Sequence, residues 1–420
     1  MQVTNINNLS RLVLLGLVAL CAACSDRERT NPLDPGNPDR NRANIGFNAL
    51  AGNNQVLIEW NRLDFIDLAG TRVRRMEAGS TDTVTVSDTT LPFSATRFVD
   101  NSSKNGTTYS YHLMFDVVGS NEKPTTVPDT VTPGPVFSWV ELIDYGEVVL
   151  FTPDFRDEVV SLEVSFYDVV DIQVGAVIWV LEAGGTIHRF QRTGELISSG
   201  DLLNVSAFVF DRLNGGVYVA LAGESGLVYY FRANGDLVNS KATDSRITSL
   251  AIDGIANDLW FGSSDPVIGK LNVRASTNSY SQFLDPEFDK PELVVTASGK
   301  SGVWIGDRGN NQVINFNTTG IIWTKGGFSA VNDIAVDDAG DLCWVADAYA
   351  DQVTVLNGSD GSVINKLSGF GNPFYLAYNR ETNSVIVSGS TGKITSVSEL
   401  GEINWSVQNP DRTGKIALAY

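Results

Sequence analysis

Hydrophobic and polar positions alternate in short runs along most of this chain. In the first part the clearest runs are "QVLIEWN", "TRVRRME", "DTVTVSD" and "TYSYHLMFDVV", all between residues 55 and 118. Runs of this length with a period of two residues, separated by turn residues, are typical of half-buried β-strands. The pattern therefore predicts an all-β protein.

From about residue 135 to the end, one apolar pattern recurs seven times. Successive copies are 40, 39, 42, 44, 40 and 42 residues apart, and their central residues are Trp139, Trp179, Tyr218, Trp260, Trp304, Trp344 and Ile386. An apolar phrase such as "FVFD" or "IAVD" precedes most centres by about eight residues, and two further strand-like runs follow. Four strands in roughly 40 residues are typical of a β-propeller blade.

The two ends of the repeat region complement each other. The last residues, Leu418, Ala419 and Tyr420, match the first strand of the preceding repeat, whereas the Trp139 repeat has no first strand of its own. A C-terminal strand that completes the first blade would leave no open sheet edge. We therefore expect a seven-bladed propeller over residues 135–420, closed by its C-terminal strand.

The phrases "WVADAYADQVTVL" and "WIGDRGNNQVINF" resemble the NHL and YVTN-type repeats of bacterial propellers. This resemblance implies an architecture but no particular activity. Asp307 and Asp347 match the aspartate that follows the second strand of the NHL-like pattern, where it mostly organises a turn by hydrogen bonding to the backbone.

Residues 45–131 resemble a fibronectin type III domain, a β-sandwich. Trp60 matches the tryptophan of its second strand, and Tyr109 matches the tyrosine-corner position before its sixth strand. In that family both residues support the core, so the resemblance implies a spacer rather than a chemical site.

The N-terminus resembles that of a bacterial lipoprotein. Arg11 precedes the twelve-residue apolar run "LVLLGLVALCAA", which is too short to cross a bilayer of about 30 Å as a helix, and Ala22 and Ala23 come just before Cys24. The resemblance implies a signal peptide over 1–23 and a lipidated Cys24, although Cys21 stands where the lipobox usually has leucine. Ser25 then favours the outer membrane. The alternative is an uncleaved apolar anchor helix.

Residues 24–44 are rich in Pro, Asp and Asn and nearly free of apolar side chains, which predicts a disordered tether. The whole chain has 30 basic and 49 acidic residues and a formal charge of −19. Such a charge repels nucleic acid, and the nearest basic run, Arg72, Arg74 and Arg75, is predicted to be a strand. We expect no nucleic-acid partner and a monomer.

Loops after the second strands are the candidate binding residues, since such loops gather on one face of a propeller around its channel mouth. They carry Asp144, Tyr145, Glu182, Glu224, Asp265, Asp307, Arg308, Asp347, Tyr349 and Asp351. These side chains suit a sugar, a basic peptide or a cation, and they are equally compatible with ordinary solvated loops.

Few residues suit catalysis or metal binding. The only histidines are His112 and His188, and Cys343 is the one thiol beyond the leader, inside an apolar strand. Asp347 and Asp351 provide two carboxylates on one loop, fewer than the six to eight oxygens that Ca²⁺ prefers. We therefore expect no cofactor, with a weakly held Ca²⁺ left open.

The leading hypothesis is a non-enzymatic, lipid-anchored envelope protein. Its propeller would bind a protein or glycan ligand, or act as a scaffold in an envelope complex. The alternative is a propeller lyase or lactonase with a divalent metal held by loop or channel carboxylates, and a third possibility is a purely structural spacer.

Overall fold

The computed structural model describes residues 46–419 except 62–67, 88–89, 93, 119–120, 122, 203, 212–213, 222, 224–225, 254, 257 and 274–278. The predicted signal peptide, the predicted tether with Cys24, and the candidate Glu224 lie outside the described residues. The chain divides into two compact units, Met1–Pro133 and Gly134–Tyr420. Among the residues described, no helix has the length and apolar character to cross a membrane.

The N-terminal unit consists of two antiparallel sheets over one core. Its strands are β1 (Asn48–Gly52), β2 (Gln55–Glu59), β3 (Leu68–Glu77), β4 (Thr83–Thr85), β5 (Arg97–Asp100), β6 (Tyr109–Val117) and β7 (Asp129–Val131). The sheet orders are β1-β2-β5 and β4-β3-β6-β7. Val56, Ile58 and Trp60 from the first sheet share a buried cluster with Tyr111 and Leu113 from the second, so alternate positions of both sheets form the core.

Polar contacts in this unit support the strands. The backbone N–H of Lys104 donates to the Tyr109 hydroxyl at 3.2 Å, the kind of contact expected of a tyrosine corner. Arg75 lies 2.7 Å from the carboxylate of Asp100, and Arg72 lies 3.1 Å from that of Asp116. The basic run on β3 is thus partly neutralised within its own unit.

Within the described residues, the C-terminal unit contains seven four-stranded antiparallel sheets. Sheet 1 joins the first three strands of this unit to the last strand of the chain, and sheets 2 to 7 each use four consecutive strands. Sheets 1 to 3 comprise β8 (Phe137–Leu142), β9 (Glu147–Phe151), β10 (Glu158–Ser161), β11 (Val169–Val174), β12 (Ile178–Glu182), β13 (Thr186–Phe190), β14 (Leu196–Asp201), β15 (Val205–Asp211), β16 (Gly216–Leu221), β17 (Leu227–Phe231) and β18 (Leu237–Ala242).

Sheets 4 to 7 follow the same plan. Their strands are β19 (Ile247–Ile252), β20 (Leu259–Ser263), β21 (Val267–Leu271), β22 (Tyr280–Leu284), β23 (Leu293–Val295), β24 (Val303–Asp307), β25 (Gln312–Asn317), β26 (Gly320–Lys325), β27 (Val331–Val336), β28 (Leu342–Asp347), β29 (Gln352–Asn357), β30 (Val363–Ser368), β31 (Pro373–Asn379), β32 (Ser384–Gly389), β33 (Lys393–Ser398) and β34 (Ile403–Gln408). The last strand, β35 (Thr413–Ala419), pairs with β8.

Burial differs strongly between the strands of one sheet. The second strands β20 and β24 are buried at every position, whereas the fourth strands β30 and β34 are largely exposed. A strand covered on both faces needs a continuous apolar run, which explains "VWIGD" and "LWFGS", and an outer strand tolerates polar residues.

The apolar core lies between neighbouring sheets. The central side chain of each second strand packs against the next sheet: Trp304 of sheet 5 shares a cluster with Ile334 of sheet 6, and Ile386 of sheet 7 shares one with Val140 of sheet 1. Of the seven central residues of the repeats, six are buried and Tyr218 is half-buried. Contacts between the first strands run β11, β15, β19, β23, β27, β31, β35 and back to β11.

Candidate functional site

Two of the predicted loop aspartates hold the backbone of the preceding connection. Asp347 ends β28, and its carboxylate accepts hydrogen bonds from the backbone N–H groups of Ser329 and Ala330 at 2.8 and 2.9 Å. Asp307 ends β24 and accepts from the backbone of Asp289 and Lys290 at 3.1 and 2.8 Å. Asp307 is fully buried and Asp347 is nearly so. Both carboxylates are therefore occupied by structural bonds.

Three other candidates are also engaged within the loops. Asp351 has a φ of 50° and accepts backbone hydrogen bonds from Phe370 and Asn372 at 3.1 and 2.8 Å. Asp144 accepts from the backbone and side chain of Arg412. Arg308 donates to the carbonyl oxygens of Val331 and Asn332. Each of these contacts joins a loop to the chain segment that enters a sheet. The contacts hold the loop surface in place, and they occupy polar groups that a ligand would otherwise bind.

The remaining described candidates do not form one cluster. Tyr349 and Tyr145 are 85% and 62% exposed, and Asp265 is half-buried in a turn where its N–H donates to Ser263. Of all the described candidates, only Tyr145 lines either of the two cavities considered below. The predicted set is thus spread over several sheets and does not converge on a single site.

Glu182 belongs to a chain of hydrogen bonds with the residue types of a hydrolytic triad. His188 Nε2 lies 3.1 Å from Glu182, and His188 Nδ1 lies 2.8 Å from the hydroxyl of Ser199. The Glu182 carboxylate also accepts the Tyr167 N–H at 2.7 Å. Ser199 lies in the exposed outer strand β14 and lines neither cavity. A nucleophile needs a substrate pocket beside it. We therefore interpret these hydrogen bonds as a network that holds neighbouring strands together.

The first strands of all seven sheets line one central cavity. Its volume is about 720 Å³, and residues from β11, β15, β19, β23, β27, β31 and β35 contribute to its wall. Together with the cycle of contacts between these strands, this shared cavity shows that the sheets are arranged radially. The C-terminal unit is a β-propeller.

Two solved structures are similar to this chain. A protein of unknown function from Desulfotomaculum acetoxidans is similar with a TM-score of 0.56 and 11% sequence identity, over 68% of this chain and 99% of that chain. The Cps50 (Swd1) β-propeller domain from Myceliophteria thermophila gives a TM-score of 0.48 and 10% identity, over 59% and 88% of the two chains. No protein-family model and no curated protein matches the sequence.

The propeller cavity contains a cluster of side chains from four different sheets. The charged members are Lys415 of β35, Asp171 of β11 and Asp333 of β27, and Tyr375 of β31 lies with them. The Lys415 ammonium lies 4.3 Å from the centre of the Tyr375 ring. Among the described residues, no acceptor lies within hydrogen-bonding distance of this ammonium, and no carboxylate lies within ion-pair distance.

Electrostatics couple the members of this cluster. Burial raises the pKa of Asp171 and of Asp333 above the usual range for aspartate, and the charge of Lys415 opposes this rise. Burial alone would lower the pKa of Lys415, but Asp171, Asp333, Tyr375 and Glu141 together raise it above the usual value for lysine. The potential at the ammonium is therefore negative.

A second, smaller cavity of about 420 Å³ adjoins the first, because Tyr375 lines both. Its wall consists of Glu141, Ile143, Tyr145, Gly146, Phe166, Tyr167, Asp168, Val169 and Tyr375. The loop after β8 and the segment before β11 form its rim. We call it the rim cavity.

The backbone around the rim cavity is tightly fitted. The Phe166 N–H donates to the Gly146 carbonyl at 2.6 Å, and a Cβ at Gly146 would lie 2.3 Å from the Phe166 carbonyl oxygen. Gly146 also has a φ of 63°, so a side chain there would be both strained and obstructed. Asp168 has a φ of 118°, a conformation that residues other than glycine rarely adopt.

The described residues do not favour metal or thiol chemistry. No three of their His, Cys, Asp and Glu side chains are placed to share a metal ion. Cys343 is completely buried, and burial raises the pKa of its thiol far above the usual range. A buried neutral thiol is a poor nucleophile, so Cys343 acts as a small apolar side chain.

Sequence reasoning missed Glu141, Asp168, Asp171, Asp333 and Lys415. A usable signal existed for three of them. Asp171, Asp333 and Lys415 lie just before the apolar phrases of their first strands, each two residues ahead of the residue that pairs with a repeat centre. In a propeller, polar residues at this position of the first strands face the central axis. Aligning the repeats on that position would have identified all three residues.

Proposed function

We propose that this protein is a ligand-binding β-propeller of the cell envelope, without catalytic activity, whose ligand engages the central cavity and its rim. The proposal rests mainly on the charged cluster of Lys415, Asp171, Asp333 and Tyr375 in that cavity. Partly buried charges without a direct ion pair reduce stability, and a cluster of them inside a cavity is a common feature of functional sites.

The finer architecture belongs to the same proposal. Seven sheets with the β35–β8 pairing fit a seven-bladed propeller closed by its C-terminal strand, and its repeats are of the NHL or YVTN type. The two-sheet N-terminal unit, with buried Trp60 and the Tyr109 corner contact, fits a fibronectin type III-like spacer. Lipidation at Cys24 would anchor the chain to the outer membrane, with the tether between anchor and spacer.

A capture experiment tests the binding role. The full chain, solubilised in mild detergent, is used to capture partners from native envelope extract, with Lys415→Met as the cavity variant and Lys366→Met as its control on the exposed strand β30. We expect a protein or glycan that the wild type and the control retain and the cavity variant loses. Equal capture by all three would contradict binding at the cavity.

Two further observations would separate the parts of the proposal. Cys24→Ala should move the protein from the membrane fraction to the soluble fraction, and continued membrane fractionation would contradict lipidation at that residue. Turnover of an envelope substrate that disappears on substitution of a single loop carboxylate would contradict a purely binding role.

A further inference from the structure

We propose that the rim cavity binds an organic cation, with an alkylammonium group held between tyrosine rings and the Asp168 and Glu141 carboxylates. This inference deepens the proposed function and rests on it, because it names the chemistry of the ligand. The ammonium could belong to a free small amine or to a lysine side chain of a partner protein.

Charge is the first argument. The rim cavity wall contains two carboxylates, those of Glu141 and Asp168, and no cationic side chain. The Lys415 ammonium contacts the Tyr375 ring from the central cavity and is itself in a negative potential. Because the wall of the rim cavity has carboxylates and no cationic side chain, a positively charged ligand complements it and an anion does not.

Aromatic content is the second argument. Tyr145, Phe166, Tyr167 and Tyr375 all line the same wall. Tyr145 and Tyr167 are 62% and 90% exposed, so two large rings stand in water on opposite segments of one rim. The negative faces of such rings attract an ammonium group, and the attraction strengthens when a ligand displaces the water between them.

Asp168 provides the third argument. Its carboxylate accepts no hydrogen bond from any described residue, in contrast to the loop aspartates Asp307 and Asp347. Its φ of 118° is a strained conformation for a residue with a Cβ. Glycine would relieve that strain, and backbone strain of this kind concentrates at ligand sites. Asp168 is exposed, so its carboxylate is solvated and accessible to a ligand beside the exposed rings.

Glu141 contributes differently. It is buried, and its two carboxylate oxygens accept the backbone N–H groups of Val169 and Lys415 at 3.2 and 3.1 Å. Burial and the neighbouring Asp168 raise its pKa, against the effect of these hydrogen bonds. Glu141 therefore joins the two rim segments to β35 and supplies charge to the base of the cavity once it ionises.

The test compares a cation with a neutral molecule of the same shape. Isothermal titration calorimetry of the detergent-solubilised full chain at low salt uses choline and 3,3-dimethylbutan-1-ol. A second pair, the capped tripeptides Ac-Gly-Lys-Gly-NH₂ and Ac-Gly-norleucine-Gly-NH₂, represents a lysine side chain. In each pair we expect the cation to bind at least tenfold more tightly than the neutral molecule. The cation that binds more tightly, choline or the lysine tripeptide, identifies the source of the ammonium group.

Variants locate the site. Asp168→Asn and Tyr145→Leu should each weaken binding of the preferred cation at least fivefold. Asp265→Asn, on the loop after the second strand of sheet 4, lies outside the rim cavity and should leave binding unchanged. Equal binding of cation and neutral isostere, no saturable binding of either cation, or an Asp168→Asn variant that binds like the wild type would overturn the inference. If envelope capture still depends on Lys415 in that case, the proposed function stands and only the ligand class is wrong.

Discussion

Replacing Lys415 by methionine should destabilise the propeller in a pH-dependent manner. Methionine keeps an unbranched apolar chain against Tyr375 but removes the ammonium that opposes the raised pKa of Asp171 and Asp333. An aspartate whose pKa is higher in the folded than in the unfolded state reduces stability as the pH rises through the interval between the two values. Without Lys415 that interval widens, so the loss of stability with rising pH becomes larger.

The size of the effect follows from the burial of the cluster. Removing one partner from a fully buried ion pair costs about 3–5 kcal/mol. Lys415, Asp171 and Asp333 are half-buried and make no direct ion pair, so the expected loss at pH 7.5 is smaller, about 2 kcal/mol. At pH 4.5 a larger share of these carboxyls is protonated than at pH 7.5, because their pKa values are raised, and the expected loss is below about 1 kcal/mol. For a unit of this size, about 2 kcal/mol corresponds to roughly 4–8 °C in Tm.

Differential scanning calorimetry at the two pH values measures this difference. Lys415→Arg keeps the charge and Lys366→Met removes one from the exposed strand β30, so both should remain close to the wild type at pH 7.5. A Lys415→Met variant with the same Tm loss at pH 4.5 and 7.5 would refute the electrostatic reasoning, because lost packing does not depend on pH.

Four further changes have expected outcomes. Asp347→Ala should cost about 2–3 kcal/mol in urea unfolding, because the N–H groups of Ser329 and Ala330 lose their acceptor; Asp265→Ala is the control, and equal losses would contradict this role. Asp168→Gly should raise Tm by about 2–4 °C through relief of about 1 kcal/mol of net strain, and an unchanged or lower Tm would argue against strain. Deletion of 413–420 should abolish cooperative unfolding of the propeller, since β8 loses one of its two partner strands, and an unaltered transition would exclude closure by β35. Cys343 should react with a thiol reagent only after unfolding, and rapid labelling of the native protein would contradict its burial.

The sequence determined the all-β character and the phase of the repeats. The seven repeats could be recognised because a strand buried on both faces must be apolar throughout. Trp304 and Trp344 lie in such strands. It also indicated a turn role for Asp307 and Asp347, which accept hydrogen bonds from the N–H groups of Gly309 and Ala350 in their own turns. These features depend on residues close together in the chain. The shorter bonds of the two aspartates, to the preceding connections, depend on the fold.

The charged cavity could not be predicted from the sequence pattern, because it brings together residues that are far apart in the chain. Lys415 and Asp171 are far apart in sequence, and they line one cavity only because β35 returns to sheet 1 and contacts β11. The strained φ of Asp168 and the fit of Gly146 against Phe166 are likewise results of packing between two sheets. Local sequence sets which face of a strand is apolar, but the closure of the sheets decides which polar residues meet at the axis. For this reason the loop candidates could be named from the repeat pattern, whereas the charged cavity required the tertiary structure.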